Sequence, residues 1–589
     1  MPHNVEIARL LHELAILTEL EEGSRQSFRA RAYHNAVRAV EGEPRDVTSL
    51  TEAELTAIKG VGRAIAGKIR EFAATGRIER LEQLRQRFPP GYLELVRLPG
   101  VGPKTVALLY ERLGIASIDG LKAAVRAGRL RDLPGLGERT EQNIAAAIAD
   151  LGVHGKDRRT PIADALPVAE EIVASLARVP GVERVEYAGS LRRFRETVAD
   201  LDVVAGARDA APVMEAFTHM AMVREVIARG PTKSAVVTAR GLQVDLRVVA
   251  PGQFGAALQY FTGSQAHNIR VRERAVKRGL TLNEYGLFEL EETDGEPRPG
   301  RLLASATEPE IYAALDLQWI PPGMREDVGE VEAAAAGQLP RLAGIADVVG
   351  DLHVHTDLSG DGRNSLDEML DAALQRGLRY VAITDHAENL RINGVSREDM
   401  LAQRDRIATL NRQLHGRLTV LHGSELNIGL DGDLDYDDDF LLGFDWTVAS
   451  VHSHFRLDRV TQTRRVIAAM QHPAVSCIGH LQGRRIGKRP GIELDVDTVL
   501  TAAEQTGTAI EINSNLDRLD ASAEVLRAAR GRDVVFVINT DTHRTHEFDY
   551  VRHGVRLAER GWVPAERIAN TWEPERFLAW AGAKRARQR

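Results

Sequence analysis

The sequence predicts a multidomain chain with an all-α N-terminal region, an α+β middle and a C-terminal α/β barrel. Three observations predict it. The first 150 residues hold three near-copies of one pattern: an apolar helix end, G-x-G, and a new helix start. From about residue 160 short strand-like runs mix with helix. From 348 onward strand-like and helix-like runs alternate, and 589 residues are enough for several domains.

The N-terminal copies are LTAIKGVGRAIAGKI (55–69), LVRLPGVGPKTVALL (95–109) and LRDLPGLGERTEQNI (130–144). Their glycine pairs are Gly60 with Gly62, Gly100 with Gly102, and Gly135 with Gly137. Glycine allows the tight turn, and the helix that follows opens with free backbone N–H groups, which is a phosphate site. One copy is as readily an ordinary αα-turn, whereas three in tandem point to DNA. Charge distribution agrees. The net charge is −8, yet residues 1–160 carry 25 Lys and Arg against 21 Asp and Glu, a surplus of +4 that leaves −12 on the remainder. Part of that acidity is local, as in DGDLDYDDDF (431–440), and part belongs to the acidic constellations below.

Composition narrows the class. Apolar content of 43% with 27% charged residues is ordinary for a globular protein, and no stretch reaches the apolar length of a membrane span. The first twenty residues alternate at helical spacing and lack a basic start and cleavage site, so no signal peptide is expected. The single cysteine, Cys477, rules out an intramolecular disulfide and suits a cytoplasmic protein.

In the middle region VERVEYA (182–188), DLDVVAG (200–206) and LQVDLRVVA (242–250) read as strands, with a helix at about 164–178. Asp200 and Asp202, two apart, share a strand face, and Asp245 on a neighbouring strand is placed to join them. Three carboxylates repel one another unless cations bind between them, and a pair of metals would hold both oxygens of a phosphoryl transfer. Gly189-Ser190 upstream completes a nucleotidyltransferase pattern. The stretch 321–344 is expected to be an exposed linker with a helical centre.

The third region offers seven strand candidates: VVGDLHVH, YVAITDH, LTVLHGSE, WTVASVH, CIGH, AIEIN and VVFVINTDTH. Repeating βα units imply a parallel sheet, most simply closed into a barrel, whose ligands gather at the C-terminal strand ends. Nine residues stand there: His353, His355, Asp361, His386, Glu425, His452, His480, Asp541 and His543. Imidazole with carboxylate and no thiolate suits Zn, Mn or Fe and argues against a structural zinc finger. Only AIEIN contributes no ligand to this set.

With YFTGSQAHNIRVRERAVKRGLTLNEYGLF (260–288), GSLRR, the three aspartates and the hairpins, the chain resembles bacterial family X DNA polymerases fused to a polymerase and histidinol phosphatase (PHP) domain. The resemblance implies helix-hairpin-helix domains, an α+β nucleotidyltransferase palm and a distorted (βα)7 barrel. It implies a lyase-like hairpin domain at 1–80, a second DNA-binding hairpin domain at 81–155 and a palm at 156–255. A nucleotide-binding and template-contacting subdomain follows at 256–320, then a linker at 321–347 and the PHP barrel at 348–589. Asp200, Asp202 and Asp245 match the metal-binding aspartates, for two Mg²⁺ or Mn²⁺. Gly189, Ser190, Arg193 and Arg159 match triphosphate-gripping positions, and Arg193 offers a charge-assisted fork for phosphate. Tyr260 and Phe261 match the segment that crowds the sugar 2′ position, and Asn268 and Arg272 match residues that sense the minor-groove edge and template strand. The barrel site implies up to three Zn²⁺ or Mn²⁺, with Glu425 as bridge, and 3′→5′ exonuclease or phosphodiesterase activity. GRRIGKR (483–489) is a candidate strand guide or an ordinary solvated loop.

Lys68 falls where the family's lyase lysine forms a Schiff base, Arg29 where a basic residue takes a 5′-phosphate, and Tyr33 beside them. Lys104 joins the hairpin glycines as a DNA contact. The chain departs from the polymerase beta pattern at Gln265, Ile269, Gln243 and Ala64. The resemblance implies a monomeric enzyme that fills gapped or nicked double-stranded DNA with dNTPs in base excision repair. The alternatives are a template-independent nucleotidyltransferase joined to a small-molecule phosphoesterase, or an inactive DNA-end scaffold.

Overall fold

The computed structural model describes residues 2–22, 28–41, 43, 45–58, 60–88, 95, 101–131, 133–134, 136–137, 140–141, 144–145, 159–293, 296–390 and 392–586. They form two compact units, Met1–Arg158 and Arg159–Arg589. No described helix is long and apolar enough to cross a membrane.

The first unit is helical. Helices Pro2–Glu22 and Phe28–Glu41 precede the hairpin formed by Glu52–Ala57 and Arg63–Thr75, and Glu79–Arg87, Pro103–Leu113 and Ile118–Arg126 follow. Their apolar stripes meet in one core containing Leu11, Leu14, Ile65, Ile69, Leu81, Val106 and Leu109. Thr51 caps its helix through a reciprocal bond with Glu54, and Ser117 caps the helix from Ile118.

In the second unit, β1 (Thr160–Pro161) pairs with β3 (Thr197–Val198), and the main palm sheet runs β2 (Val182–Tyr187), β4 (Leu201–Ala207), β7 (Gln243–Val249), β6 (Lys233–Thr238), β5 (Val223–Arg229). The central pair β4 and β7 is parallel and sets Asp202 directly beside Asp245. Helices Ile162–Leu176 and Ala211–Thr218 share one core with this sheet, while Phe254, Ala257 and Leu258 pack on Val204 in a separate cluster. All three expected strands are present, and β5 and β6 were not foreseen. Asp200 lies one residue before β4 rather than on it. Next come helices Phe254–Thr262 and Gln265–Val276, the antiparallel sheet β10 (Glu296–Ala304), β9 (Gly286–Thr293), β8 (Leu280–Asn283), and helix Glu308–Ala314.

The stretch 321–344 corrects an expectation: much of it is buried, not an exposed linker. Pro322, Gly323, Met324, Arg325, Glu330, Val331, Ala333 and Ala334 are all buried. Its charges go inside because each finds a partner. Arg325, fully buried, donates to Glu308 Oε1 at 2.6 Å, and Glu330 accepts from His267 (2.7 Å) and from the backbone of Asp327 and Val328.

The last 240 or so residues build seven parallel strands in sequence order: β11 (Gly350–Val354), β12 (Tyr380–Ile383), β13 (Thr419–Asn427), β14 (Trp446–Ser450), β15 (Cys477–Ile478), β16 (Ala509–Asn513) and β17 (Phe536–Asn539). All seven expected strands appear. A bridge between Val354 and Thr542, with the His355 amide donating to Thr542 O at 2.9 Å, joins the last strand's end to the first. Strands covered on both faces need apolar side chains all along, which is why these runs are continuous rather than alternating. Opposite the ligand-bearing ends, the C-terminal helix Pro574–Ala586 stacks Phe577 on Tyr380 at 4.5 Å and against Trp446 at 5.5 Å.

Candidate active sites

The first site is a cleft of about 670 Å³ in the palm. It brings together Arg159, Gly189, Ser190, Arg193, Asp200, Asp202, Tyr260, Phe261, Asn268 and Arg272, with Asp245 next to Asp202 on the adjoining strand. Ala188 donates its amide to Asp202 O at 2.7 Å, tying the turn before helix Gly189–Arg192 to β4. Gly189 has φ +61°, and a Cβ there would stand 2.4 Å from Asp202 Oδ2. Burial, followed by repulsion from Asp200 and Asp245, pushes the Asp202 carboxyl up to about 7, and burial with Asp245 raises Asp200. Such a trio favours bound cations. Lys233, which the sequence did not single out, pairs with Asp245 Oδ2 at 3.1 Å, and Gln243 donates to Asp245 Oδ1 at 2.9 Å.

The cleft walls differ in readiness. Arg193 donates through Nε to Glu326 (3.1 Å) and through Nη1 to Thr262 O (2.5 Å). Arg159 donates to Thr197 Oγ1 at 2.8 Å. Tyr260 and Phe261 are half-buried, edge to face at 5.2 Å, with Arg247 over the Phe261 ring. Asn268 lies in the wall, 8% exposed, and its amide is turned inward: it accepts from Gln259 and donates to Tyr260 O. Arg272 Nε reaches Asn268 O at 3.3 Å.

The second site collects all nine residues at the C-terminal ends of the barrel strands, around Glu425. Glu425 Oε1 lies 3.1 Å from His452 Nε2 and 2.9 Å from His480 Nε2. Its Oε2 lies 3.0 Å from His386 Nδ1, 3.4 Å from His353 Nε2 and 3.6 Å from His355 Nε2. Asp361 Oδ2 is 3.3 Å from His386 and 3.4 Å from His543, and Asp541 Oδ1 is 3.4 Å from His355. Three groups have ligand atoms clustered tightly enough for a cation: His355, Asp361, His386 and His543; His353, His355 and Glu425; and Glu425, His452 and His480. Glu425 and His355 each belong to two groups. The fit is chemical as well as geometric. His353 Nε2, both nitrogens of His355, His386 Nδ1 and Asp361 Oδ1 are buried and make no aligned hydrogen bond, although Glu425 Oε2 stands 3.0 Å from His386 Nδ1. Orphaned buried donors and acceptors are costly unless something coordinates them. Burial and the neighbouring imidazoles of His543 and His386 hold His355 down to about 3, keeping it the neutral ring a metal requires.

The backbone is bent to make this site. His480 and Asp541 have φ of 25° and 53°, a region side chains seldom occupy and one that clusters at functional sites. Gly479 lets strands approach closely, since a Cβ there would meet Ser450 Oγ at 2.4 Å.

Sequence reasoning missed the supporting residues. Glu511, on the AIEIN strand, takes the His353 Nδ1 contact at 2.7 Å and accepts the His480 amide at 2.7 Å. Asn513 and Asn539 donate to Glu511, and Asn427 contacts His452 Nδ1 at 2.7 Å. An acid inside an apolar buried strand was the available signal. At the mouth, Arg485 and Arg518 line the cavity, and Arg518 lies 3.5 Å from Asp541 Oδ2. The rest of GRRIGKR is engaged elsewhere: Arg484 with Arg518 O and Glu196, Lys488 with Asp517, Arg489 over the Phe455 ring.

In the N-terminal unit, Gly62 and Gly102 stand at the N-caps of helices Arg63–Thr75 and Pro103–Leu113 without side-chain bonds, and Pro103, first in the second helix, has no N–H to offer. Gly60 has φ +105°, and a Cβ there would stand 3.3 Å from that of Ala39. Gly137 O accepts the amides of Thr140 and Glu141. Gly100, Gly135 and the side chain of Lys104 lie outside the described residues. Arg29 pairs with Glu22, and Lys68 is half-buried on its helix.

Comparison with known proteins adds to this geometry. The chain matches the family models for a helix-hairpin-helix domain (2–78), a SAM-like helix-hairpin-helix tandem (92–150), a DNA polymerase beta thumb (257–326) and a PHP domain (351–515). It is 36% identical over 571 residues to the DNA polymerase/3′-5′ exonuclease PolX of Bacillus subtilis, covering 96% of this chain and 97% of that protein. The chain belongs to the family X DNA polymerases that carry a PHP domain. Other relatives match one half of this family X polymerase. Rat DNA polymerase lambda is 25% identical over 343 residues, 54% of this chain and 56% of that protein. A probable phosphatase of Vibrio campbellii is 27% identical over 240 residues, 39% of this chain and 91% of that protein. The thumb match runs to residue 326, into the stretch expected as linker, in keeping with the burial of Arg325.

Proposed function

We propose that this family X polymerase fills short gaps in DNA by template-directed nucleotide addition and trims 3′ ends in its barrel. The observation that carries the reading is the gathering of Asp200, Asp202, Ser190, Arg193 and the Tyr260-Phe261 pair in one cleft, with Asp245 beside Asp202, on the same chain as a nine-residue barrel site. Asp200, Asp202 and Asp245 would hold a pair of Mg²⁺ or Mn²⁺ ions, whose charge offsets that developing on the transferred phosphate. Asp245 receives the proton lost by the primer 3′-hydroxyl, and Lys233 and Gln243 hold its carboxylate in place. Ser190, Arg193 and Arg159 grip the triphosphate. Tyr260 and Phe261 bound the sugar, and Arg272 faces the template. The inward-turned amide of Asn268 supports the Tyr260 backbone.

In the barrel, the nine residues would hold up to three Zn²⁺ or Mn²⁺, supplying an activated water and neutralising the scissile phosphate. Glu511 and Asn427 orient His353 and His452, and Arg485 and Arg518 meet the incoming phosphodiester at the mouth. The G-x-G turns, with Lys104 and Arg29, bind the DNA backbone, and Lys68 is the candidate lyase amine. Gapped duplex and dNTPs are therefore the substrates, and base excision repair the setting. Single-nucleotide incorporation on a one-nucleotide gap, a recessed primer and a single strand tests this. Strong preference for the gap and for the complementary dNTP is expected; equal, template-blind addition overturns it. The likeness of the barrel to probable phosphatases favours one second reading, a phosphomonoesterase. Faster release of phosphate from a 3′-phosphorylated end or p-nitrophenyl phosphate than of nucleotides from a 3′-hydroxyl end would select it.

A further inference from the structure

The barrel grips the polymerase at the loop assigned above to the triphosphate. Helix Val551–Arg560, which follows β17, lies against residues 192–194. Arg560, 1% exposed, donates Nη1 to Arg193 O at 3.1 Å and to Glu326 Oε1 at 3.0 Å. Arg556 donates to Arg192 O and sits over the Phe194 ring, which stacks on His553. Glu559 accepts the Gly323 amide at 2.6 Å. One hydrophobic cluster runs through both bodies, from Val203 and Phe194 to Ile538 and Val555. Thus the contact is packed as well as polar.

Glu326 is the centre of this contact. It takes Arg193 Nε at 3.1 Å, Arg560 Nη1 at 3.0 Å and Arg195 Nη1 at 3.5 Å. Arg193 is therefore held three ways: by its own Nε on Glu326, by Nη1 on Thr262 O, and by Arg560 on its backbone carbonyl. Among the described residues Nη2 of Arg193 makes no hydrogen bond, which leaves that nitrogen for a ligand in the cleft. A guanidinium fork works only when its plane is set in advance, because orienting a loose side chain on binding costs affinity. Arg560 also neutralises Glu326.

We propose that Arg560 of the barrel, acting through Glu326, is a positioning residue for nucleotide binding in the polymerase. The nuclease domain would then be a structural part of the dNTP site, beyond carrying a second activity. The inference rests on the reading of Arg193 as a triphosphate contact, and it makes Arg560 and Glu326 act on the β- and γ-phosphates alone. Base, sugar and α-phosphate contacts stay as they are.

The test compares Arg193→Ala, Arg560→Lys and Glu326→Gln in the full chain, with incorporation at a one-nucleotide gap. Loss or redirection of one charge-assisted hydrogen bond predicts a rise of roughly tenfold in dNTP KM for Arg560→Lys and Glu326→Gln. Values of kcat, DNA affinity, inhibition by the matching deoxynucleoside monophosphate and 3′→5′ degradation should stay at the parent level. A raised KM confined to the triphosphate is what a general loss of packing would not produce. If Arg193→Ala raises KM while the other two variants leave it unchanged, the positioning role is overturned. If Arg193→Ala itself leaves KM unchanged, the reading of Arg193 fails first. Should Arg560→Lys lose both activities through misfolding, Glu326→Gln, outside the barrel, decides alone.

Discussion

Replacing Gly189 by alanine tests the palm at its tightest point. The added Cβ would lie 2.4 Å from Asp202 Oδ2, and ordinary contact begins near 3.4 Å. The carboxylate must therefore retreat by about 1 Å, or the turn before Leu191 must open. The backbone conformation, φ +61°, adds roughly 1–2 kcal/mol of strain for any side chain. A displacement of about 1 Å at a reacting centre costs on the order of 100-fold in rate. Gly189→Ala should thus lower kcat/KM for gap filling about 100-fold, mostly through kcat, with only a small loss of thermal stability. Degradation of the same 3′ end without dNTPs should be unchanged, because no barrel ligand touches Gly189. Extension by the variant within about threefold of the parent would refute the placement of Asp202 as the cation-holding carboxylate behind that glycine.

Three further outcomes follow from particular contacts. Glu511→Gln removes the charge that orients His353, so half-saturating Mn²⁺ for 3′→5′ degradation should rise roughly 10–100-fold and excess metal should restore activity; an unchanged metal titration would contradict the support role. Glu308 is buried, which alone would raise its carboxyl, but Arg325 and Arg192 outweigh that and bring it from 4.5 down to about 2. A carboxyl depressed in the folded state stabilises above its unfolded value and loses that contribution as pH falls from about 4.5 through about 2. Glu308→Gln should therefore cost about 3 kcal/mol near neutral pH and flatten that part of the acid limb, read by denaturant midpoints; equal midpoints at pH 7 would overturn it. Removing Arg485 should weaken DNA binding at the barrel mouth and reduce its salt slope by about one, with little effect on gap filling.

Much of this was legible in the sequence because strand ends carry the chemistry. All nine candidate barrel residues close on or follow an apolar run, so reading the strands brought them to one place. Asp202 and Asp245 were legible for a similar reason: each sits in a short strand beside apolar neighbours. Glu511 was missed because AIEIN looks like any buried strand unless the lone acid in its middle is questioned. Residues 321–344 were misread because their charges looked solvated. Arg325 is buried only because Glu308, 17 positions earlier, faces it, and Glu330 because His267 does. Pairings across such distances leave no local pattern. The docking of Arg556 and Arg560 onto residues 192–194 was invisible for the same reason, since it joins residues more than 360 positions apart.

We read the chain as holding two chemically separate metal-dependent sites that act on DNA ends. The most direct measurement puts Asp200→Ala and His353→Ala on one gapped primer, with and without dNTPs, in Mg²⁺ or Mn²⁺. Asp200→Ala should abolish extension and keep 3′→5′ degradation, and His353→Ala should do the reverse. Loss of degradation in Asp200→Ala, or of extension in His353→Ala, would contradict two separate sites.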